Sequence, residues 1–224
     1  MPVKLILFDC DGTLVDSQNV IVNAMLRAYE AMGMTPPSRQ KMLSVVGLSL
    51  VKAMHRLGDD AAGYPAEELA EHYKVAFHAQ RAEPGFEEPL FPGIGGMLEI
   101  LCGREDVLLG LATGKSQRGV AAVLAHHGLE GRFVTIQTAD TAPSKPHPGM
   151  VLQAMEETGI GPQDTVLIGD TSYDMVMARS ADAHAVGVTW GYHPRDLLRQ
   201  SGAQHLVDAA DELLPLLDEM WGRG

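Results

Sequence analysis

Five short apolar runs constrain this chain more than any other feature: residues 3–8, 107–112, 133–137, 165–168 and 185–189. None alternates cleanly between apolar and polar positions, which is the pattern of strands covered on both faces. Helical patterns lie between most of them. Ser116 is placed to cap a helix carrying Val120, Val123, Leu124 and His127, which stops at Gly128. A second begins near Pro148, carries Val151, Ala154 and Met155, and stops at Gly159. A third follows Asp170 and carries Met175 and Ala178. Strands alternating with helices in this way predict an α/β fold built on a doubly wound parallel sheet.

One connection breaks the rhythm. About 95 residues separate the first run from the second, far more than a crossover needs. Ile21, Met25, Ala28 and Met32 form one helical stripe there, ended by Gly33. Leu43, Val46, Leu50, Ala53, Met54 and Leu57 form a second, and Leu69, Tyr73, Ala76 and Phe77 a third after Pro65. Gly47 interrupts the second stripe at a cost of about 1 kcal/mol against Ala, which implies a kink or a close approach to a ligand. The gap therefore reads as a helical insert over residues 16–86, with residues 1–15 and 87–224 forming the core domain. Residues 83–96, rich in Pro and Gly, read as the return linker.

Composition narrows the partners. A net charge of −12 disfavours nucleic acid and anionic membranes, both of which select basic surfaces. The same charge repels an anionic substrate, so a phosphate site here needs its own cations or backbone amides. Cys10 and Cys102 cannot make a disulfide framework. No apolar stretch has the length of a membrane span or the layout of a signal peptide, which predicts a cytoplasmic protein, monomeric or a small homo-oligomer.

Ligands of open α/β sheets bind beyond the carboxyl ends of the strands. The first run ends in Asp9-Cys10-Asp11-Gly12-Thr13, and Asp16 or Ser17 after it is placed to cap the first helix of the insert. The second ends in Thr113-Gly114-Lys115, the fourth in Asp170-Thr171-Ser172-Tyr173-Asp174, and Ser144-Lys145-Pro146-His147 follows the third. Asp9 and Asp11 are two apart and project to one side of an extended strand end. Carboxylates held so close call for a cation or a shared proton, and an all-oxygen set suits Mg²⁺. A carboxylate beside that metal can attack phosphorus, with Lys145, Thr113 and the Gly114 amides balancing the phosphoryl oxygens.

Those four segments, in that order, resemble the motifs of the haloacid dehalogenase superfamily, and the likeness spans essentially the whole chain. The resemblance implies a Rossmann-like core with an inserted helical cap. It implies Asp9 as nucleophile and metal ligand, and Asp11 as general acid/base that also lends the metal its backbone carbonyl. It further implies Thr113, Gly114 and Lys145 around the phosphoryl group, and Asp170 and Asp174 at Mg²⁺. An Asp at position 11 separates phosphate-ester chemistry from dehalogenases and phosphonatases. The segment 188–193 and the residues after it resemble the phosphoglycolate-phosphatase-like branch. The implied activity is hydrolysis of a small phosphorylated metabolite such as phosphoglycolate or a sugar phosphate. A phosphomutase with basic cap residues, a phosphoryl-accepting signalling module and a non-catalytic binding protein are the alternatives. The roles of Cys10, His147, Asp140 and Lys115 stay open at this stage.

Overall fold

The computed structural model describes residues 2–222. Its centre is a six-stranded sheet in the order β3-β2-β1-β4-β5-β6. The strands are β1 (Lys4–Phe8), β2 (Val107–Thr113), β3 (Thr135–Thr138), β4 (Thr165–Gly169), β5 (His184–Val188) and β6 (His205–Val207), and every neighbouring pair is parallel. The chain builds outward from β1 in one direction and then returns to build outward in the other. That reversal between β1 and β4 opens a crevice at their carboxyl ends, where such sheets bind ligands.

β1 shows why the apolar runs lack alternation. Leu5 and Leu7 face one buried cluster, Ile6 and Phe8 the other, and all four are fully buried. One layer contains α5 (Ile94–Cys102), α6 (Gln117–His127) and α10 (Leu213–Met220); the other contains α7 (Gly149–Thr158), α8 (Ser172–Ser180) and α9 (Arg195–Gln200). Local signals set several boundaries as expected. Ser116 accepts a hydrogen bond from the Gly119 amide, and α6 ends at Gly128 in the left-handed conformation. Gly159 closes α7 in the same way.

Between β1 and β2 lie α1 (Gln18–Ala31), α2 (Arg39–Leu43), α3 (Leu50–Leu57) and α4 (Ala66–Arg81). They share an apolar cluster that includes Met25, Tyr29, Met54 and Leu69. The second stripe is two helices rather than one. Gly47 adopts φ +96°, which no helix can continue through, and the segment between α2 and α3 turns toward the sheet. The chain enters and leaves this helical group side by side. Asp16 donates its amide to the Pro89 carbonyl (2.8 Å), Phe91 donates to Leu14 (2.9 Å), and Val15 bridges Leu90 antiparallel.

Four elements depart from the sequence reading. β3 begins two residues later than the apolar run. β6 is only three residues long, too short for a periodic signal. α5 starts inside the segment read as linker, with Gly93 at φ +82° making the turn into it. Ser17 occupies the N-cap position of α1 but makes no capping bond, because its hydroxyl is committed to Asp11.

Candidate active site

Asp9 is the first residue past β1, and its amide donates to the Ile168 carbonyl of β4, which places the side chain at the crevice. Its carboxylate is 1% exposed. Oδ1 accepts from the Cys10 amide (2.7 Å) and lies 2.9 Å from Lys145 Nζ. Oδ2 is buried and has no hydrogen-bond partner. Burial pushes the Asp9 carboxyl up to about 7, against the pull of Lys145.

Lys145 is wholly buried, an uncommon state for a lysine and one that demands counter-charges. It has two, Asp9 and Asp174 Oδ1 at 2.6 Å. Burial alone would depress its pKa, and the carboxylates of Asp174 and Asp9 more than reverse that, so it stays charged. Asp174 is in turn fixed by α8: its Oδ2 accepts from the Thr171 amide (3.0 Å) and hydroxyl (2.6 Å) in a reciprocal capping box.

Asp170 is equally buried. Its Oδ1 accepts from the Thr13 hydroxyl (2.9 Å) and its Oδ2 from the Tyr192 amide (2.9 Å), while burial, with Asp9 and Asp174 adding, pushes its carboxyl well above the usual range. Asp9, Asp170 and Asp174 each bring one oxygen within 4.8 Å of the others. Three carboxylates and one ammonium leave an excess of negative charge in a dry site. The Asp11 side chain lies outside that trio: its Oδ1 accepts from Ser17 Oγ (2.6 Å) and pairs with Lys115 Nζ (3.0 Å). Thr113 ends β2, buried, with its hydroxyl accepting from the Lys115 amide (3.3 Å).

Glycines let these loops approach one another. Gly12 sits at φ +83°, and a Cβ there would fall on the Asp170 carboxylate. A Cβ on Gly114 would strike the carbonyls of Gly47 and Leu48, so the turn between α2 and α3 lies directly on the Thr113–Gly114 turn. Further bonds hold that segment down. Ser49 donates its amide to Ser144 Oγ (2.9 Å), Lys52 reaches the Lys145 carbonyl (3.1 Å) and Tyr173 donates to the Ser44 carbonyl (3.0 Å). Of the two readings of Gly47, the break in the helix is the one seen, and it brings the Gly47 carbonyl against Gly114 of the site. Gly12→Ala is expected to cost about 1–3 kcal/mol through the strained φ and to displace Asp170. A urea melt with and without Mg²⁺ checks both effects.

The residues left open find definite places. Cys10 is buried against Val15 and Val123, and burial raises its thiol well above the ordinary value, which makes it an inert core filler. His147 Nδ1 accepts from the Gly149 amide at the start of α7 (3.0 Å), and Asp140 accepts from the Gln117 amide at the start of α6 (2.7 Å). Lys115 is neither solvated nor bare toward the crevice: it lies between Asp11 and Glu88 (3.3 Å). Glu88, 2% exposed in the return segment, escaped the sequence reading altogether. One Glu of the pair Glu87-Glu88, amid Pro and Gly, gives no local signal of such a partner.

Among the described residues no helix is long and apolar enough to cross a membrane. The model of the family described as haloacid dehalogenase-like hydrolase matches residues 6–188. The chain is 34% identical to a Dickeya dadantii protein named "Probable phosphatase IndB", covering 94% of this chain and 91% of that one. It is 30% identical to the phosphoglycolate phosphatase of Chromobacterium violaceum, with 96% of each covered. A solved hydrolase from Pseudomonas syringae superposes with a TM-score of 0.84 at 28% identity, over 97% of this chain and 99% of that one.

Proposed function

The chain belongs to the haloacid dehalogenase-like hydrolase family, and from that premise we propose that it is a Mg²⁺-dependent phosphatase of small phosphomonoesters, phosphoglycolate-like or sugar phosphates, working through a phosphoryl group carried on Asp9. One observation carries the reading. Asp9 Oδ2 is a buried carboxylate oxygen without a partner, inside a cluster whose carboxylates outnumber its lysine. A buried carboxylate oxygen left unpaired is costly unless something fills its place. A hard divalent cation fits: the donors are all oxygen and converge on one point.

Asp9 and Asp170 would hold the ion, with the Asp11 carbonyl, and Asp174 would support them directly or through water. Bound Mg²⁺ would neutralise excess charge on these carboxylates and on the substrate's phosphoryl oxygens. The remaining work falls to the chain. An Asp9 carboxylate oxygen attacks phosphorus, and the bond from phosphorus to the leaving oxygen breaks. Asp11 gives that oxygen its proton, so an alcohol departs. Asp11 then takes a proton from a water that attacks the phosphoryl group, releasing inorganic phosphate and restoring Asp9. Lys145, with Thr113 and the Gly114 amide, would hold the phosphoryl oxygens throughout. Residues 16–86 would serve as a cap that excludes bulk water, its Gly47 turn already seated on the Gly114 turn.

The cap's cations favour a phosphatase over a mutase. Lys41 pairs with Asp59, Arg56 with Asp60, Lys74 with Glu71 and Arg81 with Glu88, while Arg39 binds the amides of Gln18 and Asn19. Lys52, which does reach the site, is bonded to the Lys145 carbonyl. A mutase needs such groups for a second phosphate. Phosphate release from a panel of small phosphomonoesters is expected with Mg²⁺ and not with excess chelator. Saturating Mg²⁺ is also expected to raise the melting temperature, since about 2.7 kcal/mol is gained at 100 times Kd. Equal release with and without chelator would sink the reading.

A further inference from the structure

A buried relay of charge runs from the crevice into the helical insert. Lys115 Nζ lies 3.0 Å from Asp11 Oδ1 and 3.3 Å from Glu88 Oε1, and the other oxygen of Glu88 takes Arg81 Nη2 at 2.7 Å. The Lys115 and Glu88 side chains are 8% and 2% exposed, so water does little to screen them. His127 Nε2 meets the Glu88 carbonyl at 2.8 Å and pins its backbone to α6. Phe77 of α4 stands beside both cations, 5.3 Å from Lys115 Nζ and 5.4 Å from the Arg81 guanidinium. The four charges sum to zero, and each interior member has an opposite charge on either side. Such a chain holds its geometry because displacing any member strands a buried charge.

Its inner end acts on one atom. Both Lys115 and Ser17 bind Oδ1 of Asp11, and no protein partner is seen for Oδ2 among the described residues. A carboxyl group clamped through Oδ1 presents Oδ2 in a fixed direction, and Oδ2 is the oxygen that carries the proton when Asp11 acts as acid. Ser17 alone cannot set that direction, because a single hydroxyl contact leaves the carboxylate free to rotate about it.

We propose that Glu88 and Lys115 are positioning residues for the Asp11 carboxylate, and that Arg81 and Phe77 of α4 anchor them, so that the acid is aligned only while the insert is seated. This rests on Asp11 being the leaving-group acid. It assigns a role in the chemistry to the return segment, which touches neither Asp9 nor the carboxylate trio.

The test compares an alkyl ester, phosphoglycolate, with an aryl ester, p-nitrophenyl phosphate, whose leaving group departs without a proton. Glu88→Gln is expected to slow leaving-group release from phosphoglycolate in the first turnover, before Asp11 is needed as base, about tenfold, a fraction of what a general acid supplies, with aryl release in the first turnover within about twofold. Lys115→Arg, which keeps a cation between the two carboxylates, is expected to retain most of the alkyl rate. If Glu88→Gln fails to fold, Arg81→Gln at the outer end is expected to show the same selectivity at about threefold. Equal losses on both esters, or none on either, overturn the inference. Asp11→Asn separates the two levels. It stops steady-state turnover of both esters because the base is gone. If in the first turnover it slows release from the alkyl ester far more than from the aryl one while Glu88→Gln slows neither, only the positioning role falls. If it slows both alike, the acid role falls with it.

Discussion

Asp9→Asn is expected to leave a folded protein whose phosphate release is lower by about 10⁴-fold or more, on the order of 5 kcal/mol of barrier. The substitution suits the site's geometry. Oδ1 would keep the Cys10 amide and the Lys145 contact, and the amide nitrogen would take the place of Oδ2, which has no protein partner to lose. What goes is the nucleophile, because the neutral amide has lost the carboxylate charge: its oxygen attacks phosphorus poorly and its nitrogen has no free lone pair. Circular dichroism and a urea melt would show the fold intact beside the loss of turnover. Turnover within tenfold of the parent would remove Asp9 from the role of phosphoryl carrier. Release would then have to come from direct attack by water.

Lys145→Met is expected to have the largest effect on stability. It strips the counter-charge from Asp9 and Asp174 in a site where neither is more than 1% exposed. Breaking a buried ion pair from one side costs about 3–5 kcal/mol, because the partner stays buried and unpaired. For a chain of this size that is roughly 6–20 °C of melting temperature. Activity should vanish with it. The double variant Lys145→Met with Asp174→Asn is expected to regain part of the stability and none of the activity, since it neutralises one of the two carboxylates that the single variant strands and leaves only Asp9. A single variant within about 1 kcal/mol of the parent would mean that the cluster tolerates its negative charge unaided.

What could be read in the sequence divides along physical lines. Runs covered on both faces, such as Leu5 to Phe8, announce themselves because every position is apolar. Ser116 with Gly128 brackets α6 through chemistry local to its ends. The carboxylates and Lys145 were legible because strand ends are where such sheets place ligands, and the structure gathers Asp9, Asp170, Asp174 and Lys145 in contact. Three residues of β6 carry no periodicity, and its pairing with β5 depends on partners distant in sequence. The helical spacing of Ile94, Met97, Leu98 and Leu101 was there to find in α5, masked by the glycines around it. Gly47 was noticed as a flaw in one helix, although a positive φ makes it the turn between two. Glu88 and the true setting of Lys115 depend on ion pairs between residues 27 positions apart, which no local pattern encodes.

The paired crossing at residues 14–16 and 89–91 has a consequence for how such a chain can change over generations. Exit and re-entry are hydrogen-bonded neighbours, so the chain crosses between sheet and insert at a single short seam. The entropy of closing a loop depends on where its ends lie and only weakly on how many residues it holds, about 0.6 kcal/mol for each doubling. The length and sequence of the stretch between can therefore drift, lengthen or be exchanged wholesale with little penalty to the strands beneath. Selectivity is thus free to evolve faster than reactivity wherever the few contacts from the insert to the site, such as Arg81 on Glu88, are kept.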